Sequence, residues 1–334
     1  MHDGSGRIHV QGLSKSFGQL PAVQNLSFTA HPGMVTGFLG PNGAGKTTAL
    51  RMILGLIQPT SGTATINGLP FAELSNPAGV VGAVLDAHGF HPSRTAHHHL
   101  RCYAAAMNVP DEQAERALDL VGLKIAANRK VGSFSLGMRQ RLALATALMG
   151  DPQILVLDEP ANGLDPEGIA WLREFLKAFA ASGRTVLMSS HFLREIEHTV
   201  DRLVIVSHGC NVYDGYLDEL RAEQSSRTLV QTPDPQQLTV EAQDAGFGVE
   251  YLPDGRLAVL GTDSQTVADL AAARGIALYG VQDERIDLEH LFFQLTHGQY
   301  SGAQPHGAWV PPVGPGQQPL PPPGQHGPTS SGGL

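Results

Sequence analysis

Gly40-Pro41-Asn42-Gly43-Ala44-Gly45-Lys46-Thr47 fits the pattern G-x-x-x-x-G-K-[ST], a phosphate-binding P-loop. Its glycines let successive backbone N–H groups turn inward and cradle phosphate oxygens. Lys46 adds a point charge suited to β- and γ-phosphates, and the Thr47 hydroxyl is a hard oxygen ligand suited to Mg²⁺. The flanking residues predict the setting. Met34-Val35-Thr36-Gly37-Phe38-Leu39 reads as a buried strand entering the loop. Thr48 to Leu56 carries apolar residues at helical spacing, so a helix N-terminus points at the phosphates. Gly40 to Thr47, with Thr48 opening the helix, is therefore the candidate nucleotide site.

Outward from the loop, apolar strands alternate with helical patterns from Arg7 to about Leu220. Ile154-Leu155-Val156-Leu157, Thr185-Val186-Leu187-Met188 and Leu203-Val204-Ile205-Val206 show no polar alternation. Such runs suit strands covered on both faces of a largely parallel sheet, which predicts an α/β nucleotide-binding core. The stretch from about Gly89 to Gly150 is rich in Ala and Leu and poor in strand signals, and reads as a helical insertion. The strand Ile154–Leu157 runs into Asp158 and Glu159. Ligands of open α/β sheets bind at the carboxyl ends of strands, so Asp158 is placed to hold Mg²⁺ and Glu159 to polarise an attacking water.

The rest of the chain narrows the class. It has 334 residues, enough for about two domains. An apolar fraction of 42% supports a full core, and a net charge of −9 speaks against a primary nucleic-acid binder. Cys102 and Cys210 lack a C-x-x-C partner and read as free thiols. No apolar run reaches the ~18 residues of a membrane span, and the N-terminus lacks a secretory pattern. Any membrane contact is expected through a partner.

A second pattern begins near Arg227. Thr228-Leu229-Val230 predicts a strand and Gln236 to Ala245 a helix. Gly248–Leu252 and Arg256–Leu260 flank the turn Pro253-Asp254-Gly255. Asp263 to Arg274 reads as a helix capped by Asp263 or Ser264, Ile276–Tyr279 as a strand, and Leu288–Leu295 as a closing helix. The order βαββαβ over 227–297 predicts a small α+β accessory domain of ferredoxin-like type. It is read as a dimer-stabilising appendage. From Gly298 to Leu334 the chain is rich in Pro, Gly, Gln and Ser and has no Asp, Glu, Lys or Arg, the composition of a disordered tail. Pro319-Leu320-Pro321-Pro322 within it fits P-x-x-P but is short. His97-His98-His99 reads as a surface or interface run, because consecutive helical residues point in different directions and build no single tetrahedral site.

Phe134-Ser135-Leu136-Gly137-Met138-Arg139-Gln140-Arg141, just before the strand at Ile154, resembles the L-S-G-G-Q signature of ABC ATPases. The P-loop Gly40–Thr47, this signature-like run and the strand Ile154–Leu157 with Asp158 and Glu159 follow in that family's order. Gly163-Leu164-Asp165 resembles its D-loop and His191 its switch histidine. Phe17 sits where the family has an aromatic residue that stacks on adenine. The match covers about two-thirds of the chain. One nucleotide domain, no fused membrane domain and a small following domain are most similar to ATP-binding subunits of bacterial drug- and antibiotic-export transporters. The resemblance implies ATP and Mg²⁺ as ligands and a head-to-tail dimer of two copies. Each ATP then lies between the P-loop of one copy and Ser135 and Gly137 of the other. Lys46 neutralises phosphate charge, Glu159 orients water, His191 contacts the γ-phosphate and Asp165 links the two sites. The implied partner is a separate multi-span permease at the cytoplasmic face of the cell membrane, docked by the helical insertion.

Four positions depart from the family pattern. Leu136 replaces the first Gly of the signature, Met138 replaces its Gln, Phe17 replaces the commoner Tyr but can still stack, and Asp86 stands at the Q-loop glutamine. Aspartate there can still ligate Mg²⁺, directly or through water. Two other classes stay open. A soluble ABC protein of ribosomes or DNA usually has two nucleotide domains or long coiled coils, and this chain shows one P-loop and no sustained heptads. A regulatory or resistance ABC protein would act on a cytosolic partner without transport. The intact Lys46, Asp158, Glu159 and His191 speak against it, while Asp86 and the altered signature speak for it.

Overall fold

The computed structural model describes residues 4–86, 89–222 and 227–284, together with Phe292 and Thr296. In chain order the first elements are β1 (Ile8–Phe17), β2 (Leu20–Ala30), β3 (Val35–Leu39), α1 (Lys46–Ile53) and β4 (Ser61–Ile66). Next come α2 (Pro77–Val80), β5 (Val81–Val84), α3 (Ala96–Met107), α4 (Glu112–Leu120), α5 (Leu136–Leu148) and β6 (Ile154–Leu157). The core closes with α6 (Pro166–Ala181), β7 (Thr185–Ser190), α7 (Leu193–Ile196), β8 (Arg202–Ser207), β9 (Cys210–Tyr216) and α8 (Leu217–Ala222).

Six strands form the central sheet in the order β5-β6-β7-β3-β8-β9. Neighbours pair in parallel except β8 and β9, which form an antiparallel hairpin. The continuous apolar runs are explained by cover on both faces. Leu155 and Leu157 enter one core with Val186, Met188 and the helix residues Leu100, Leu118, Leu142 and Leu176. Ile154 and Val156 enter the other with Phe38, Leu187, Leu50 and Ile53. A three-stranded antiparallel sheet, β2-β1-β4, supplies Ile8, Val10, Leu13 and Phe28 to that second core. The sequence reading did not anticipate this sheet. The helices α3, α4 and α5 occupy the stretch between β5 and β6.

Two differences near the P-loop and the histidine tract have local causes. Helix α1 starts at Lys46, two residues before the expected Thr48, because Gly45 takes a left-handed φ of 97° and turns the chain directly into the helix. His99 is buried, whereas His98 is exposed and His97 half-buried. His99 packs between the rings of Phe90 and Tyr103 and lies 3.3 Å from the Thr146 hydroxyl of α5. One position of the three faces the helix bundle, which corrects the surface reading of the run.

Beyond α8 the described elements are β10 (Arg227–Gln231), α9 (Pro235–Asp244), β11 (Gly248–Tyr251), β12 (Leu257–Leu260), α10 (Ser264–Ala273) and β13 (Gly280–Glu284). Their sheet runs β11-β12-β10-β13 and is antiparallel throughout. Asp263 caps α10 by accepting from Thr266 N at 2.7 Å. The last strand lies four residues later than the sequence suggested. Ile276 instead plugs the core after α10, its N–H bonded to Ala271 O, and pairing with β10 begins at Gly280. Of the closing helix expected over Leu288–Leu295, Phe292 is described, and it is helical and buried. The Pro- and Gly-rich segment from Gly298 lies outside the described residues. Among the described residues no helix is long and apolar enough to cross a membrane.

Candidate functional site

The register of β3, β6 and β7 brings their carboxyl ends together, with Leu39 opposite Ser190 and Leu157 opposite Met188. Three loops therefore leave the sheet side by side: the P-loop, the Asp158–Glu159 turn and the His191 loop. Gly40 N donates to Ser190 O, and a Cβ at Gly40 would press into the Val206 carbonyl. Gly45 is left-handed, and a Cβ there would meet Ala22 O. Both positions require glycine for close backbone approach. No side chain caps α1, so the N–H groups of its first turn remain available to an anion.

Lys46 is 5% exposed and its Nζ donates to Gly40 O at 2.7 Å and Pro41 O at 3.2 Å. It lies 3.7 Å from Glu159 Oε1. Burial pulls its pKa below the ordinary lysine value, against the opposing pull of Glu159 and Asp158. The Thr47 hydroxyl donates to Asp158 Oδ2 at 2.7 Å. Ser189 donates to the other oxygen of Asp158, and the same hydroxyl accepts from Glu159 N at 2.9 Å.

Glu159 has a φ of +47°, an uncommon region for a residue with a side chain. Its Oε2 accepts from Asn162 Nδ2 at 2.5 Å and lies 3.2 Å from His191 Nδ1. The imidazole approaches the carboxylate without the alignment of a hydrogen bond. The ring of His191 also packs on Phe192, centroid to centroid 4.0 Å.

The signature residues stand apart from this cluster. Ser135 caps α5, its Oγ accepting from Met138 N at 3.2 Å. Ser135, Gly137 and Asp165 line one open cleft with Leu136, Arg129 and Gly163. Asp165 caps α6 by accepting from Gly168 N at 2.9 Å. Among the described residues no hydrogen bond or ion pair joins Ser135, Gly137 or Asp165 to Lys46, Thr47 or Asp158. Phe17 ends β1, is half-exposed, and has Lys15 Nζ 5.2 Å from its ring centroid. Asp86 is exposed and lies two residues past β5, the strand that pairs with β6. Thr48 is half-buried in the first turn of α1.

Sequence reasoning missed Ser189 and Asn162 as members of the site. A signal for Ser189 was available: two hydroxyl residues follow the apolar run Val186–Met188. Asn162 carried a weaker one, as the only polar side chain between Glu159 and Leu164.

Comparison with known proteins bears on this arrangement. Residues 23–162 match the family model described as ABC transporter, and residues 226–289 match a domain of unknown function (DUF8746). The uncharacterized ABC transporter ATP-binding protein YdbJ of Bacillus subtilis (strain 168) is 37% identical over 240 residues, 71% of this chain and 75% of that protein. The bacitracin transport ATP-binding protein BcrA of Bacillus licheniformis is 35% identical over 302 residues, 87% of this chain and 97% of that one. A solved structure of an ATP-binding subunit of an ABC transporter superposes with a TM-score of 0.59 at 28% identity, over 65% of this chain and 92% of the other. Identity at that level over most of both chains, joined to a P-loop and an Asp–Glu pair on one edge of the sheet, decides the family: the chain belongs to the ATP-binding proteins of ABC transporters and is an ATPase.

Proposed function

We propose that two copies of the chain pair around ATP and power a separate multi-span membrane permease, which exports a drug-like or antibiotic small molecule. The observation that carries the pairing is the separation of the two half-sites. Lys46, Thr47, Asp158, Glu159 and His191 cluster at the ends of β3, β6 and β7, while Ser135 and Gly137 line a different cleft. A second copy joins one half to the other, with Asp165 between them. The similarity to a bacitracin transport protein, extending through the C-terminal region, supports an antibiotic-like substrate. In this reading residues from Arg7 to Leu220 form the ATPase domain, and the sheet β11-β12-β10-β13 belongs to an accessory domain that steadies the dimer. The subunit works at the cytoplasmic face of the membrane and meets the membrane only through the permease.

The residues fit the expected chemistry. Thr47 and Asp158 present a hydroxyl and a carboxylate 2.7 Å apart, hard oxygen donors that suit Mg²⁺, with Asp86 as a third candidate. Bound there, the ion supplies positive charge to the phosphates. The loop N–H groups and Lys46 bind the phosphates, and Phe17 offers a face to adenine. Glu159 takes the proton of the attacking water as general base. His191 sits against that carboxylate, where it senses the γ-phosphate. Ser135 and the N–H groups opening α5 favour the same phosphate from the second copy. Catalysis is positioning plus charge stabilisation.

The test is a pull-down of tagged Glu159→Gln protein from detergent-solubilised membranes with ATP and Mg²⁺. An ATP-dependent, multi-span membrane protein is the expected companion. Recovery with ribosomes, DNA or only soluble partners, from membranes shown to be intact, overturns the transport reading.

A further inference from the structure

We propose that Asn162 is a positioning residue for ATP hydrolysis, holding the Glu159 carboxylate in its working orientation; the proposal rests on the reading of Glu159 as the base. Asn162 bonds Glu159 twice. Its backbone N–H donates to Glu159 O at 3.1 Å, closing a turn, and its side-chain amide donates to Oε2 at 2.5 Å. The amide orientation follows from chemistry, because an ionised carboxylate only accepts and only the nitrogen end of the amide donates. The asparagine side chain is exposed, so its presence is not explained by core packing.

The two oxygens of Glu159 are thereby made unequal. Oε2 lies between Asn162 and His191, while Oε1 faces Lys46 at 3.7 Å, on the side of the P-loop. A carboxylate held at one oxygen presents the other in a fixed direction, which is what a general base needs before it meets its proton donor. The grip also has an origin outside the ATP cluster. Asn162 leads directly into Gly163, on which the Leu136 side chain of the signature lies, and then into Asp165, which caps α6. Displacement of that segment reaches the base through one hydrogen bond.

The experiment is steady-state ATPase kinetics of the full chain for Asn162→Ala, Asn162→Ser and Asn162→Asp, with Glu159→Gln as reference. Asn162→Ala is expected to lower kcat by about ten- to a hundredfold, because the base loses its orientation. KM for ATP stays within about twofold, because this change leaves the phosphate-binding groups in place. Asn162→Ser keeps a donor and recovers part of the rate. Asn162→Asp sets a second carboxylate against Glu159. Like charges repel, so the Glu159 carboxylate is pushed out of its place and kcat falls at least as far as in Asn162→Ala. A merely structural asparagine moves the melting temperature and leaves kcat, at a temperature where every variant is folded, near the wild-type value. With Glu159→Gln inactive, wild-type kcat in Asn162→Ala, or a KM for ATP that rises as far as kcat falls, overturns the proposal while leaving Glu159 as base. A Glu159→Gln variant at the wild-type rate overturns the base assignment and this proposal with it.

Discussion

Ser189→Ala tests whether the buried hydroxyl at the end of β7 organises both acids of the site. Ser189 is fully buried, donates to Asp158 and accepts from Glu159 N at 2.9 Å. Alanine leaves the Glu159 N–H without that acceptor, which costs about 1–3 kcal/mol, and removes a hydrogen bond to a charged group, contributing about 1.5–3 kcal/mol. The two effects share one hydroxyl, so a total near 3 kcal/mol is the reasonable sum. For a domain of about 200 residues that lowers the melting temperature by about 6–12 °C. Asp158, with one oxygen still on Thr47, loses its second support, and kcat falls by about ten- to a hundredfold. Thr185→Val is the control. Thr185 is equally buried at the far end of the same strand, and its hydroxyl donates to Gly6 O, away from the nucleotide. The assay is differential scanning fluorimetry beside steady-state ATPase rates. Both variants should melt earlier, and only Ser189→Ala should lose turnover. Wild-type kcat in Ser189→Ala, with the melting loss present, would refute the argument that this hydroxyl serves the acids.

Glu159→Gln should bind ATP, hydrolyse it at least about a hundredfold more slowly, and elute as an ATP-dependent dimer on size exclusion; unchanged turnover removes Glu159 as base. Deletion of Gly298–Leu334 should leave kcat and KM for ATP unaltered, and a tenfold loss would show that the ATPase uses that segment. Burial lowers the His99 pKa from its ordinary 6.5 to about 4, so the folded chain keeps this imidazole neutral where the unfolded chain takes up a proton. The stability it contributes is complete above its ordinary pKa and drains away as pH falls toward the depressed one. Thermal melts across that window should show a shallower acid decline in His99→Gln than in wild type, and parallel curves refute the assignment.

What could be read from the chain depended on how local the cause was. The P-loop is a contiguous run whose glycines are demanded by the loop itself, so its eight residues suffice. The strands at Ile154, Thr185 and Leu203 announce themselves because both faces are covered, leaving no polar alternation. The antiparallel sheet β2-β1-β4 was harder to see. In β1 the buried residues Ile8, Val10 and Leu13 break a strict period of two, and the pairing with β2 shifts register between Val10 and Leu13. His99 was misread because which member of a histidine run turns inward depends on α5 and Phe90, which are distant in sequence or in conformation. The strand at Gly280 was displaced for a similar reason. Ile276 and Leu278 are as apolar as strand residues, but the core beside α10 claims them first.

Glu159 shows where local preference yields to the site. A left-handed backbone at a glutamate costs of the order of 1–3 kcal/mol, and here the next residue is Pro160, which restricts the backbone further. No reading of residue preferences would place it there. The conformation is held from outside: Ser189 of the neighbouring strand takes the Glu159 N–H, and Asn162 takes both the carbonyl and the carboxylate. Relaxing the backbone to an ordinary φ would swing the side chain away from Lys46 and His191. The strain and the three hydrogen bonds therefore belong to one device. Its members belong to the turn after β6 and to the end of β7, whose closeness arises from the pairing of those two strands. The motif Asp158-Glu159 names the acids. The strand order is what lets Ser189 and Asn162 aim them.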